Sequence, residues 1–214
     1  MRMRKKKHRD ARIAARADLY FDGSFGMPVF LEIGCGKGGF ICGLAQSYPE
    51  YNFVAVERNP DVMVLAMEKA AGLGLKNARF LIADAEDLAA HFAPGQVAGI
   101  YLNFSDPWHK NYQAHKRLTY KTFLEIYKEL LIPGSRLIMK TDNYNLFKFS
   151  LRSLSDNGFQ ILSQTCDLYS SGFPENNVRT EYEEKFISEG VKICRLEASY
   201  SFISGTNVMP SAFL

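Results

Sequence analysis

Hydrophobic positions along the chain follow two alternating patterns. Short apolar runs, rich in aliphatic and β-branched residues, have the length and composition of buried strands. They cover residues 28–34, 53–57, 78–84, 97–104 and 135–142. The segments between them carry apolar residues three and four positions apart, as amphipathic helices do. These segments cover residues 39–48, 61–75, 85–92 and 120–131. Strands that alternate with helices predict parallel βαβ units, so we expect an α/β fold whose open sheet has helices on both faces.

The last third of the chain continues the pattern less regularly. The elements predicted there are a helix over 145–158, a strand over 159–168, a short helix from about Thr180 and a strand over 191–200. No stretch rich in Gly, Ser or Pro divides the chain, so its 214 residues predict one domain over 21–214. An N-terminal arm of residues 1–20 precedes it.

The arm differs from the rest of the chain in charge. Residues 1–16 carry eight Lys or Arg side chains and one acid, Asp10, for a local charge of +7. Because the whole chain has a net charge of +3, the remainder carries −4. A basic arm on a mildly acidic body is typical of a protein that meets a polyanion, although a solvated, partly disordered tail has the same composition.

The cysteine and hydropathy patterns exclude several classes of protein. The four cysteines, Cys35, Cys42, Cys166 and Cys194, form no CxxC pair and have no histidine at zinc spacing. We predict buried, reduced thiols and no metal. No apolar run approaches 18 residues and no export signal begins the chain, so we expect a cytoplasmic protein without a membrane partner. The pattern leaves monomer and homodimer open.

Polar residues follow the ends of the first five predicted strands. They are Glu32, Glu57, Asp84, Asn103 with Asp106, and Asp142. In open α/β sheets, ligands bind beyond the carboxyl ends of the strands, near the point where the strand order reverses. We therefore expect these side chains to surround one ligand site.

The turn after the first predicted strand is rich in glycine. In LEIGCGKGGF, Gly34, Gly36 and Gly39 match GxGxxG, a pattern shared by sites for nicotinamide cofactors and for S-adenosylmethionine (SAM). Glu32 would repel a pyrophosphate and attract the amine or sulfonium of SAM, and Asp84 offers a second acceptor, for the adenine amino group. These acids favour SAM. The alternative for Asp84 is an N-cap of the following helix.

Six motifs in order carry a family resemblance. EIGCGKG, VERN, IADAEDL, NFSDPW, MKTDN and TEYEEKF resemble the bacterial tRNA (guanine-N7-)-methyltransferases. The resemblance covers nearly the whole chain from about residue 28, and NFSDPW with TEYEEKF is its most specific part. It implies the class I methyltransferase fold, a Rossmann-like, mostly parallel sheet of seven strands whose last strand is antiparallel.

The resemblance also implies a set of site residues. The implied SAM contacts are Glu32, Gly34, Gly36, Glu57, Arg58, Asp84, Ala85, Asn103 and Asp106. The implied contacts to tRNA or guanine are Lys110, Asp142, Thr180, Glu181, Tyr182 and Glu183. Asp106 is implied as the acidic residue of the active site. The activity implied is transfer of a methyl group from SAM to N7 of a variable-loop guanine in tRNA.

The chemistry of guanine explains why one carboxylate could suffice. N7 carries a lone pair and no proton at neutral pH, so alignment of the reactants can supply most of the catalysis. Asp106 could accept hydrogen bonds from the base and stabilise the positive charge that guanine acquires. The alternative for Asp106 is a turn residue before Pro107.

The segment after Trp108 departs from the family pattern. His109 stands where relatives usually have proline, and the following run is less basic, leaving Lys110, Lys116 and Arg117 as candidate phosphate contacts. Three other functions remain open from the residues alone. They are a nicotinamide oxidoreductase, an adenine N6-methyltransferase suggested by SDPW, and an RNA-binding module without catalysis.

Overall fold

Seven strands form one sheet in the part of the chain that the computed structural model describes, residues 7–23, 25–26, 28–170 and 178–200. The strands are β1 Val29–Ile33, β2 Asn52–Val56, β3 Ala78–Leu81, β4 Val97–Asn103, β5 Leu131–Thr141, β6 Gln160–Thr165 and β7 Cys194–Ser199. The α-helices are α1 Arg9–Ala14, α2 Gly39–Ser47, α3 Pro60–Gly72, α4 Lys121–Leu130, α5 Tyr144–Asp156 and α6 Glu181–Ser188. Short 3₁₀ helices span Ala17–Leu19, Ala85–Ala90 and Asn111–Lys116.

The strand order is β3-β2-β1-β4-β5-β7-β6. β1 to β5 pair in parallel, whereas β7 runs antiparallel to both β5 and β6. This topology confirms the predicted α/β class and the antiparallel last strand. The order reverses between β1 and β4, which therefore flank the crevice where such sheets bind ligands.

Helices cover both faces of the sheet. On one face, α4 and α5 pack over a buried cluster that contains Leu31, Ile100 and Tyr127. On the other face, α2 and α3 pack over a cluster that contains Phe53 and Met67. β1 to β4 are mostly buried because both faces of the sheet are covered, whereas the edge strand β6 alternates between exposed and half-buried residues.

Three local features differ from the sequence predictions. The predicted helix over 85–92 is a 3₁₀ helix, in which the two buried residues, Ala85 and Leu88, share a face at the three-residue spacing of that helix. β5 begins at Leu131 instead of 135, because an irregularity in its pairing with β4 extends the ladder backwards. Cys166 is exposed, so the burial predicted for the four cysteines is correct only for the other three.

The described part of the arm, residues 7–20, folds against α3. Arg12 donates two hydrogen bonds to Glu68, of 2.8 and 2.6 Å, and Arg16 lies 3.8 Å from the same carboxylate. Arg9 lies 3.5 Å from Asp61. Three of the basic side chains are thus paired with acids of this chain. Arg2, Arg4, Lys5 and Lys6 lie outside the described residues.

Within the described ranges, no helix is both long enough and apolar enough to cross a membrane.

Candidate active site

A cavity of about 630 Å³ opens at the carboxyl ends of the parallel strands, within the volume range of small-molecule sites. Its walls come from the turn between β1 and α2, the ends of β2, β3 and β4, and the start of α6. It lies at the reversal of strand order. The predicted residues in its lining are Glu32, Gly34, Gly36, Glu57, Arg58, Asp84, Ala85, Asn103, Asp106, Thr180, Glu181 and Tyr182.

Glu32 and Asn103 form the floor of the cavity between β1 and β4. The Asn103 side-chain amide donates a 3.0 Å hydrogen bond to Glu32 Oε1. Glu32 is 2% exposed, and no donor in the described part of the chain bonds to its other oxygen or to Asn103 Oδ1, both of which are buried. Burial raises the pKa of the Glu32 carboxyl to about 8. Two buried acceptors that lack a donor predict a ligand that brings N–H groups to this point.

The glycine turn leaves room for a ligand against the backbone. Gly34 and Gly36 have φ angles of 80° and 56°, and among the described residues a Cβ atom at either position would meet no atom within 4 Å apart from its chain neighbours. Glu57 holds the turn, because its carboxylate accepts hydrogen bonds from the backbone N–H groups of Gly36 (3.3 Å) and Asn59 (2.9 Å). Its carboxylate also lines the cavity, at the position predicted for a ribose contact.

Asp84 and Arg58 lie at the rim beside Ala85. Their side chains are 3.9 Å apart, and both are partly exposed. Asp84 occupies the N-cap position of the 3₁₀ helix but its side chain makes no capping hydrogen bond. The Asp84 side chain therefore does not cap this helix, and its carboxylate faces the cavity rim.

The loop after β4 carries Asp106 in a constrained backbone. Phe104 and Trp108 have positive φ angles of 50° and 44°, which cost free energy in residues other than glycine. Asp106 lies between them, exposed and in the cavity lining. Such strain persists only where neighbouring contacts hold the backbone in place.

Arg117 supplies those contacts. Its guanidinium donates 3.0 Å hydrogen bonds to the carbonyl oxygens of Pro107 and Trp108 and lies 4.4 Å from the centre of the Phe149 ring. Lys116 lies over the half-buried Trp108 ring, at 4.9 Å. Arg117 was predicted as a candidate phosphate contact, but in this structure its donors hold the loop that presents Asp106.

The start of α6 forms the wall opposite the sheet. Thr180 and Glu183 form a capping box, in which each side chain accepts a hydrogen bond from the other's backbone N–H. Glu183 is fully buried, and its carboxylate also accepts hydrogen bonds from Lys140 Nζ (2.8 Å) and the Tyr169 hydroxyl (2.5 Å). These contacts leave Thr180, Glu181 and Tyr182 facing the cavity.

Three predicted substrate contacts do not line the cavity. Glu183 is enclosed behind the helix end, where it fixes α6. Lys110 and Asp142 are exposed outside the lining, Lys110 with its amine 5.8 Å from the centre of the Tyr112 ring. Exposed positions near the cavity suit contacts to a large substrate, so for these two the prediction stands as a proposal.

Lys140, which is 2% exposed on β5, was not among the residues predicted from the sequence. A signal was present, because this lysine interrupts the apolar strand SRLIMKTD at a position that should be buried. A buried lysine needs a partner of opposite charge. No pattern in the sequence indicated that Glu183 is this partner.

Comparisons with known proteins identify relatives of this chain. The family described as "Putative methyltransferase" matches residues 26–196. A tRNA (guanine-N(7)-)-methyltransferase of Exiguobacterium sibiricum is 48% identical over 81% of each chain. Another, of Limosilactobacillus reuteri, is 41% identical over 94% of this chain and 100% of the relative.

Solved structures show the same fold at low identity. A 16S rRNA (adenine(1408)-N(1))-methyltransferase from Catenulisporales acidiphilia, solved with SAM, has a TM-score of 0.62 and 15% identity, covering 94% of this chain and 95% of its own. The 16S rRNA methyltransferase KamB has a TM-score of 0.61 and 15% identity, covering 94% and 97%. At these identities the likeness concerns the fold alone. The identities above 40% over most of both chains place this chain in the tRNA (guanine-N(7)-)-methyltransferase family.

Proposed function

We propose that this protein transfers a methyl group from SAM to N7 of a variable-loop guanine in tRNA. The observation that carries the proposal is one cavity that holds buried, partnerless acceptors on Glu32 and Asn103 and, at its mouth, the carboxylate of Asp106. Relatives that match four-fifths or more of the chain bear the corresponding name. A tRNA-modifying role also fits the cytoplasmic location predicted from the sequence.

The residues of the cavity fit SAM. The partnerless oxygens of Glu32 and Asn103 suit the ammonium group of its methionine part, and the open glycine turn admits the ligand against the backbone. Glu57 would bind the ribose and Asp84 with Ala85 the adenine, while Arg58 closes the rim. When bound, SAM supplies an electrophilic methyl group on a sulfonium.

Asp106 supplies the charge that the guanine requires. Methyl transfer leaves the base cationic, and a carboxylate held beside it favours that product and the transition state leading to it. N7 has no proton to remove, so no general base is needed. Arg117 fixes the loop, so that the Asp106 carboxylate stays oriented toward the substrate.

The test is transfer of labelled methyl from SAM to unmodified tRNA transcripts, followed by digestion and identification of the nucleoside. We expect labelled 7-methylguanosine. Labelled N6-methyladenosine would overturn the choice of base. SAM binding without labelled RNA would support the proposed cofactor site but contradict tRNA as the substrate.

We expect SAM to bind more tightly as the pH rises from 5.5 to 7.5. The pKa of Glu32 in the free protein is about 8, so only a small fraction carries the charge that attracts the ligand's ammonium group. Affinity should therefore rise by up to about tenfold per pH unit, with proton release on binding. Calorimetry in buffers of different ionisation enthalpy measures both quantities.

The control for this prediction is Glu32→Gln, which keeps the shape of the side chain and cannot ionise. Its affinity should be lower at pH 7.5 and should not vary with pH in this window. If the SAM affinity of the wild type also does not vary with pH, Glu32 keeps the same protonation state when SAM binds.

We expect removal of residues 2–7 to weaken tRNA binding and to reduce its salt dependence. For every phosphate group that the arm no longer neutralises, the slope of log affinity against log salt should fall by about 0.7 to 0.9. Removal of residues 2–16 should reduce the slope no further, because Arg9, Arg12 and Arg16 pair with acids of the protein. Filter binding at several salt concentrations measures the slopes.

The two truncations separate the two parts of the arm. An unchanged slope in both variants would contradict a role for the arm in tRNA binding. A clear further decrease in the longer truncation would mean that the three arginines leave their acids and contact RNA.

A further inference from the structure

Three aromatic rings pack together at the mouth of the cavity, where two of them, Phe104 and Tyr182, line the cavity with Asp106. The Phe104 and Tyr182 ring centres are 6.3 Å apart with planes 30° apart. Phe186 lies 5.6 Å from Phe104 and 6.4 Å from Tyr182. These separations are within the range of stacked aromatic pairs. We call Phe104, Tyr182 and Phe186 the aromatic platform.

Tyr182 is the exposed member of the platform. It is 60% exposed, and it lines the cavity together with Asp106. Its hydroxyl makes no hydrogen bond to any residue in the described ranges. The ring is thus held by other rings rather than by its polar atom, which leaves aromatic surface facing the cavity.

Contacts with Lys140 on β5 hold the aromatic platform in place. Phe104 follows β4 with a positive φ angle, and its N–H donates a 2.8 Å hydrogen bond to the carbonyl of Lys140. The side chain of Lys140 pairs with the buried Glu183, one residue after Tyr182. A rigid ring loses little freedom when it binds a flat ligand, so the platform is preorganised for one.

We propose that Tyr182 stacks on the face of the target guanine while Asp106 contacts its edge. This proposal rests on the proposed function and adds how the base is held. An enzyme that modifies a base takes it out of the stack and must offer a replacement surface, and exposed aromatic rings serve as such surfaces in single-stranded RNA recognition. A face contact and an edge contact together define the position of a planar base.

The first experiment compares kcat/KM for tRNA in Tyr182→Leu and Tyr182→Phe. Leucine keeps apolar volume without a stacking face, so we expect a loss of roughly 10- to 100-fold. Phenylalanine keeps the face, and should restore most of that loss. Because the ring is assigned to the base and not to the cofactor, SAM affinity measured by calorimetry should change less than the activity.

Tyr144 provides a matched control. It is 54% exposed in the first turn of α5 and stacks on Phe147 at 6.3 Å, but it lies outside the cavity lining. Tyr144→Leu should leave kcat/KM near the wild-type value. An equal loss in Tyr144→Leu and Tyr182→Leu would overturn the proposal, since any exposed stacked tyrosine would then have the same effect.

The second experiment reports on stacking directly. A tRNA with 2-aminopurine at the methylated position should be several-fold brighter in complex with Tyr182→Leu than with the wild type or Tyr182→Phe, because stacking quenches this base. The proposal would be overturned if the wild type and Tyr182→Leu gave equal brightness and equal kcat/KM. It would also be overturned if Tyr182→Phe lost as much activity as Tyr182→Leu. If the wild type forms no 7-methylguanosine, the proposed function itself fails, and the stacking proposal falls with it.

Discussion

Asp106→Asn should lower kcat for methyl transfer to tRNA by roughly 100- to 1,000-fold, the usual cost of removing one group that stabilises charge in a transition state. Asparagine keeps the volume and a hydrogen-bond acceptor but removes the negative charge beside the guanine. Single-turnover rates at saturating SAM and tRNA measure this chemical step without interference from product release. The affinity for each ligand should change far less than the rate.

The control separates this effect from a general loss of surface charge. Asp87→Asn removes a carboxylate from the 3₁₀ helix Ala85–Ala90, where the side chain is exposed and outside the cavity lining, and should leave the rate close to wild type. A large fall in SAM affinity with an unchanged single-turnover rate would assign Asp106 to cofactor binding alone. Wild-type behaviour in both measurements would leave Asp106 as a turn residue before Pro107.

The position of the ligand site could be predicted because it depends on the topology. Parallel strands end at one edge of the sheet, so polar residues after each apolar run had to converge there. Glu32, Glu57 and Asp84 do line one cavity. Asp142 does not, although it also follows a strand, because the crevice opens between β1 and β4 and not at the end of β5.

The use of the basic side chains could not be predicted, because it depends on tertiary partners. Arg117 is part of a basic segment and suggests a phosphate contact, yet it donates to backbone carbonyls of residues 107 and 108. Arg12 suggests a polyanion contact, yet its acceptor is Glu68, 56 residues away. Local composition gives the charge of a segment but does not show which group each charged side chain contacts in the folded protein.

Family membership decides between some of the functions left open by the residues. The glycine turn alone fits both a nicotinamide cofactor and SAM, and matches to methyltransferases over most of the chain favour SAM. The described structure adds a reason, because the buried acceptors on Glu32 and Asn103 that lack a donor need N–H groups, which a pyrophosphate does not offer.

One ion pair links the sheet to α6, the helix that carries Tyr182 and Phe186 of the aromatic platform. Lys140 Nζ is 2.8 Å from Glu183 Oε2 and 3.0 Å from the carbonyl oxygen of Val178. The Lys140 and Glu183 side chains are 3% and 0% exposed. In water both charges would be well solvated, so the pair is tolerated only because each partner compensates for the burial of the other.

We expect Lys140→Met to lower the free energy of unfolding by about 3–5 kcal/mol. Methionine fills a similar volume, but it removes the cation that lies 2.8 Å from the buried Glu183 carboxylate. Methyl transfer should fall as well, because the Thr180 capping box and the following cavity residues lose their fixed position. Urea unfolding and single-turnover rates measure the two effects.

The double variant Lys140→Met/Glu183→Gln tests the cause. Glutamine carries no charge, and its oxygen in the place of Oε2 can still accept the hydrogen bond from the Thr180 N–H. Its NH2 group, in the place of Oε1, can donate to the oxygen of the Tyr169 hydroxyl. If the buried charge is responsible, adding Glu183→Gln to Lys140→Met should recover part of the lost stability, although Glu183→Gln is destabilising by itself. Strictly additive losses in this double-mutant cycle would show that the two side chains act independently, and that α6 is held by other contacts.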